Sequence, residues 1–229
     1  MKFPASWLKG SSLGESIACE LRLQIINGTI KPGEILSENR IAADFGTSRS
    51  PVREALKTLS GEALITLQRM GAVVNGLQLK EIEELYDVRY LIESFAWQRL
   101  AEKDPAPLLS SLQQIVDKME LAAKYGDVVE FAYQDLSFHE LIITSANHTR
   151  ILHLWTSIRQ IVMTVMLITT EDVFSQGEGK IKYVVDKHRK LLKGLESRDP
   201  AVISARIEEY FADSRNTLHT SMKESPKAH

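Results

Sequence analysis

The sequence predicts a mainly α fold, an N-terminal winged helix-turn-helix followed by a C-terminal all-helical bundle of about six helices. Three observations carry this. Apolar residues recur at helical spacing along most of the chain. The one β-rich stretch is ALITLQRMGAVV, residues 63–74. After Gly76 the helical segments become much longer, so the chain is divided into a front unit, 1–76, and a body, 77–229.

In the front unit Ile17, Leu21 and Ile25 recur every four residues and predict a helix over 13–26, stopped by Asn27-Gly28. Lys31-Pro32-Gly33-Glu34 is a turn. Ser37 is placed to cap a second short helix with Ile41, Ala42 and Phe45, which Gly46 closes in a left-handed conformation. Ser48 or Ser50 then caps a third helix, with Pro51 where its missing N–H costs nothing. Val52, Ala55, Leu56 and Leu59 form its apolar face until about Gly61. Residues 65–67 and 72–74 read as short strands joined by 68–71.

The body begins with a helix over 79–103, broken by Asp104-Pro105-Ala106-Pro107. Helices over 108–125, 128–146 and 149–168 follow, the first ended by Gly126 and the last strongly apolar. The loop TTEDVFSQGEGK leads to helices over 181–196 and 201–222, separated at Asp199-Pro200. Trp97, Trp155, Phe131, Phe138 and Met163 are expected in its core.

Net charge is −2, but the distribution is uneven: residues 1–79 carry nine Lys/Arg against seven Asp/Glu, and residues 80–229 carry nineteen against twenty-three. A mildly basic front on an acidic body is compatible with polyanion binding. The single cysteine, Cys19, excludes an intramolecular disulfide and suits a reducing cytoplasm. No apolar signal core opens the chain and its purely apolar runs are short, so a cytoplasmic protein with no membrane partner is expected.

The stretch TSRSPVREAL, residues 47–56, places Arg49 and Arg53 along one flank of the third helix, beside its buried face. A recognition helix needs this layout, because one side is fixed to the domain while the N-terminal residues and a flank reach base edges and phosphates. Arginine pairs bidentately with guanine, and serine hydroxyls suit phosphates. A solvated surface helix has the same composition. The order of three helices and a hairpin favours the DNA reading.

The segment GEILSENRIAADFGTSRSPVREALKTLSGEALI resembles the N-terminal domain of the GntR family of bacterial transcription regulators, over roughly residues 11–76. The resemblance implies contacts to double-stranded DNA from Arg40, Ser48, Arg49, Ser50 and Arg53, with Gly71 letting the wing backbone approach the minor groove. Ile41 stands where the pattern has Leu, and Met70 where it has a larger polar residue.

In the body, QDLSFHELIITSAN puts Asp135 and His139 four apart on one helix face, a spacing that can chelate an ion. A buried His139–Asp135 pair without metal uses the same spacing. Together with His188 in DKHRKLLKGLESRD and with Arg89 and Glu93 in VRYLIE, these residues resemble the FadR-type effector domain, called FCD. The resemblance implies a divalent transition metal, zinc or nickel, on Asp135, His139 and His188. Its last histidine ligand falls on Tyr210 here. It also implies a small carboxylate effector, for which Arg89, Asn147, Arg159 and Tyr210 are the candidate contacts. His148, His153, His219 and His229 have no partner at ligand spacing.

The sequence thus reads as a ligand-responsive transcription regulator, a homodimer on a pseudo-palindromic operator. The alternative is a helical metal-dependent hydrolase fused to a DNA-binding module. No H-E-x-x-H, G-x-S-x-G or phosphate loop supports that alternative.

Overall fold

The computed structural model describes residues 2–69, 71–102 and 104–223, and the chain divides into two compact units, Met1–Gln78 and Leu79–His229. The expectations at Met70, Lys103 and His229 lie outside the described residues.

The first unit contains a 3-10 turn, Ala5–Leu8, then α1 (Leu13–Ile26), β1 (Ile35–Leu36), α2 (Glu38–Asp44), α3 (Arg49–Gly61), β2 (Ile65–Gln68) and β3 (Gly71–Val74). A capping box starts α1: Ser12 Oγ accepts from Glu15 N at 3.1 Å, and Glu15 Oε2 accepts from Ser12 N at 2.7 Å. The predicted apolar stripe packs α1 against α3, burying Ile17, Leu23, Val52, Ala55 and Leu59 completely. Arg22 of α1 is also buried there, and Glu62, just after α3, receives its Nε and Nη2 at 2.7 and 2.6 Å. Gly46 ends α2 with φ +60°, the left-handed turn that its position required.

The sheet is three-stranded and antiparallel, in the order β1-β3-β2, with Ile35 opposite Val73 and Gln68 opposite Gly71. The first strand is missing from the sequence expectation because two residues show no alternation. Its pairing also gives Gly71 a role within the fold. With φ +140°, a Cβ there would lie 2.7 Å from the carbonyl oxygen of Leu36.

The second unit is a bundle of α4 (Leu79–Ala101), α5 (Ala106–Tyr125), α6 (Val128–Ser145), α7 (Thr149–Ser175), α8 (Glu178–Glu196) and α9 (Pro200–Lys223). Gly126, with φ +67°, turns α5 into α6. The expected core aromatics Trp97, Trp155, Phe131 and Phe138 are all buried.

One expectation is corrected in this unit. The segment taken as a loop from Thr169 onward continues α7 to Ser175, and only Gln176-Gly177 separates it from α8. Thr169 and Thr170 have low intrinsic helix propensity. Yet Thr169 Oγ1 donates to the Met166 carbonyl at 3.1 Å, and the buried face continues at Val173. Among the described residues, α7 is the one helix long and apolar enough to cross a membrane by length and composition. Here it serves as a core helix, with Ile161 through Leu167 buried without interruption.

Candidate functional site

Each unit carries its own candidate site. In the first, the N-terminus of α3 and the β2–β3 turn border a groove of about 570 Å³, lined by Ser37, Glu38, Arg49, Arg53, Lys57 and Arg69 among others. Ser48, Arg49, Ser50 and Arg53 are exposed, as recognition requires, and so is Arg40, whose nearest carboxylate, Asp44, is 3.9 Å away. Glu38 collects both candidate reading arginines. Its Oε2 accepts from Arg49 Nη2 at 2.7 Å and from Arg53 Nε at 2.9 Å. These bonds, chiefly that from Arg49, hold the Glu38 carboxyl below its ordinary range. Lys57 and Arg69 were not singled out from the sequence. Arg69 lies two residues before Gly71 at the wing turn, and a basic residue at such a tip is the signal that was available.

In the second unit, α4 and α6–α9 surround a small cavity of about 50 Å³ whose lining includes Tyr86, Arg89, Asp135, Thr169, Lys187 and Tyr210. The three candidate metal donors meet beside it. Their ligand atoms lie within 4.8 Å of one another, and all three side chains are buried. His188 Nδ1 faces the Val184 carbonyl at 2.8 Å and so carries a proton to donate. His139 Nδ1 faces Glu93 Oε2 at 2.6 Å in the same manner. Glu93 in turn accepts from Arg89 Nε at 2.7 Å.

With both Nδ1 atoms acting as donors, both Nε2 atoms turn to one carboxylate oxygen. Asp135 Oδ1 is 3.1 Å from His188 Nε2 and 3.3 Å from His139 Nε2. Lone pairs converge on an anion in this way where a cation belongs, and the carbonyl and carboxylate behind the rings are the outer partners that metal-ligating histidines usually have. The donor set therefore fits a divalent ion held by three protein atoms. Tyr210 Oη stands at the remaining side, 2.7 Å from His139 Nε2 and 3.5 Å from His188 Nε2.

Either an ion or a proton on an Nε2 atom would balance the Asp135 charge. Burial opposes the Asp135 charge, but the two histidines outweigh it and hold the carboxyl far below its usual range. Burial likewise opposes the charges of Glu93 and Arg89, yet each stabilises the other, so the carboxyl titrates lower and the guanidinium higher than usual. Burial and then the nearby Asp135 push the Tyr210 phenol well above 10.0. Desolvation lowers the buried Lys187 ammonium in spite of Asp213 beside it.

Arg89 and Tyr210 line the cavity; Asn147 and Arg159 do not. Asn147 takes φ +50° in the turn between α6 and α7, a position that asparagine tolerates, so this residue has a backbone explanation. Arg159 donates to Glu140 from Nε at 2.6 Å and from Nη2 at 2.9 Å. His148 caps α7 and packs on Phe95, and His219 lies 2.9 Å from Glu83. Lys187 is the charged cavity residue that sequence reasoning missed, since a lysine next to a candidate ligand histidine reads as surface charge.

A helix-turn-helix with an exposed arginine flank and a helical body with an internal polar cavity define a DNA-binding transcription regulator with a sensory domain. Residues 13–74 match the bacterial regulatory proteins of the gntR family, and residues 84–213 match the FCD domain. The chain belongs to the GntR family and carries an FCD effector-binding domain. It is similar to the gluconate operon transcriptional repressor of Bacillus subtilis, with 40% identity over 94% of this chain and 89% of that one. The Bacillus licheniformis protein of the same name is 40% identical over 92% of this chain and 87% of its own. The solved structure of E. coli McbR/YncC shares the fold, with TM-score 0.70 and 22% identity over 92% of this chain and 99% of that one. The relatives are transcriptional repressors, so this is a regulator and not an enzyme, and the hydrolase alternative is unsupported.

Proposed function

We propose that this chain represses a sugar-acid operon, binding a pseudo-palindromic operator as a homodimer and releasing it when a small carboxylate such as gluconate enters the cavity. The observation that carries the effector is Arg89, which lines the cavity and whose fully buried Nη2 has no hydrogen-bond partner among the described residues. Leaving such a donor unpaired is costly, and an anionic ligand would satisfy it. The names of the two Bacillus relatives suggest gluconate as the acid.

Arg40, Ser48, Arg49, Ser50 and Arg53 would contact the operator, with Gly71 and Arg69 in the wing. The homodimer finds support in a row of exposed apolar residues one helical face long on α4: Val88, Leu91 (66% exposed) and Phe95. A two-fold pair doubles the length of DNA read, which is what a small winged domain needs for specificity. Acting on DNA places it in the cytoplasm.

Asp135, His139 and His188 would hold the divalent ion, zinc or nickel. Bound there, it would supply a Lewis-acid contact for an oxygen of the effector. Tyr210 would hold that oxygen's orientation through its hydroxyl.

The test is fluorescence anisotropy on DNA from the chain's own promoter region, with gluconate titrated in at fixed salt. Release of the DNA at millimolar or lower gluconate is the expected result. Unchanged binding across gluconate and related aldonates would remove the effector assignment.

A further inference from the structure

Lys187 lies in α8 directly before His188 and turns inward. Its side chain is 9% exposed, and its Nζ donates to Asp213 Oδ2 at 2.6 Å and to Ser214 Oγ at 3.4 Å. It also stands 4.7 Å over the ring of Tyr210. An ammonium group has three protons to donate, so one remains uncommitted. Bridging α8 to α9 does not require this burial. One turn on, Lys190 makes the same kind of bridge to Glu209 at 2.6 Å from the surface, where both side chains are about half exposed. Taking a lysine out of water is costly, and a surface pair would have fixed the helices without that cost.

What burial adds is position. Lys187 and Tyr210 line the internal cavity and also the outer recess formed with Tyr183, Arg206 and Asp213, so they form the wall between the two. Arg89, with its unpartnered Nη2, lines the same cavity. Thr217, also on the cavity wall, has a buried Oγ1 without a partner among the described residues, and Ser214 of the same wall lies one turn before it on α9. Two cations with spare donors and a hydroxyl rim suit a carboxylate joined to a polyol chain.

Building on the effector reading above, we infer that Lys187 is the second cation of the effector site. It grips the ligand's carboxylate with Arg89 and selects the acid over the neutral polyol, while Ser214 and Thr217 take hydroxyls. A charged hydrogen bond inside a protein is strong enough to make such a choice by about 10- to 100-fold.

The experiment is isothermal titration calorimetry on the full chain, with D-gluconate and its neutral counterpart D-glucitol as probes, run with and without added zinc. Wild type should bind gluconate at least tenfold more tightly than glucitol. Lys187→Met should lose about that factor for gluconate alone, and Lys187→Arg should recover part of it. Lys190→Met should change neither. Asp213→Asn, which frees the ammonium from its competitor, should tighten gluconate binding and covers the case in which Lys187→Met fails to fold. Equal gluconate affinity in wild type and Lys187→Met, or no tightening in Asp213→Asn where Lys187→Met is unfolded, overturns the inference and leaves the effector reading standing. Wild type that binds no aldonate at all overturns both.

Discussion

Tyr210 Oη lies 2.7 Å from Nε2 of His139, within hydrogen-bond distance of the nitrogen that a metal ion would need. His139 Nδ1 is engaged by Glu93, so the phenol donates to Nε2 and occupies its lone pair. An ion entering the cluster must displace that bond. With its pKa raised by burial, the phenol is a poor replacement ligand. Zinc or nickel should therefore bind wild type more weakly than Tyr210→His, which supplies a fourth donor. Asp135→Ala and His139→Ala should abolish binding. Calorimetric titration of chelator-stripped protein checks this, together with melting curves, since an ion that binds only the folded state raises the melting temperature. Wild type and Tyr210→His that both ignore added metal would show a metal-free polar cluster.

Glu38 accepts from both Arg49 and Arg53, so one carboxylate orients the two side chains proposed to read DNA. Arg49→Ala or Arg53→Ala should each weaken operator binding by about 1–3 kcal/mol with the melting temperature nearly unchanged. Glu38→Gln should act differently. Removing a negative charge near phosphates strengthens binding to random DNA, while loosening the arginines lowers the preference for operator over random sequence. Competition gel shifts at two salt concentrations measure both quantities. A Glu38→Gln protein with undiminished preference would show that the arginines need no such guide.

The parts of this molecule that follow from local rules were legible in the sequence. The stripe Val52, Ala55, Leu56 and Leu59, the left-handed Gly46 and the helix stop at Gly126 each rest on a short-range pattern. Strand β1 was not legible, because its two residues are a strand only by virtue of pairing with β3. The end of α7 was misplaced because Thr169 and Thr170 have poor intrinsic helix propensity, which burial overrides. In the cavity, Asp135, His139 and Arg89 could be named from spacing and resemblance. Lys187 could not, because its inward direction depends on where α9 places Asp213 and Tyr210.

The buried pair Arg22–Glu62 joins α1 to the end of α3, the helix that carries Arg49 and Arg53. Arg22 is 1% exposed, so losing its partner would leave an almost dry guanidinium without a counter-charge. Glu62→Ala should cost the DNA-binding unit about 3–5 kcal/mol. Replacing both residues, as Arg22→Met with Glu62→Leu, should restore much of that loss. Urea unfolding curves of the single and double variants decide this. A single variant as stable as wild type would show that water reaches the guanidinium.

Gly71 has two possible reasons to be glycine, and they separate experimentally. Resemblance assigns it to close approach of the wing to DNA, whereas the structure shows that a Cβ there would meet the Leu36 carbonyl oxygen at 2.7 Å, with φ at +140°. Backbone atoms of a paired strand have little room to give, so Gly71→Ala should disturb the β1–β3 pairing even without DNA. The expected outcome is a lower melting temperature and faster amide exchange at Leu36 and Ala72, with operator affinity falling as a consequence. Arg69→Ala, in the same turn but exposed, should leave stability unchanged and reduce the salt dependence of binding by about one phosphate contact. If Gly71→Ala keeps full stability and native exchange rates yet loses affinity, the glycine serves the DNA and not the sheet.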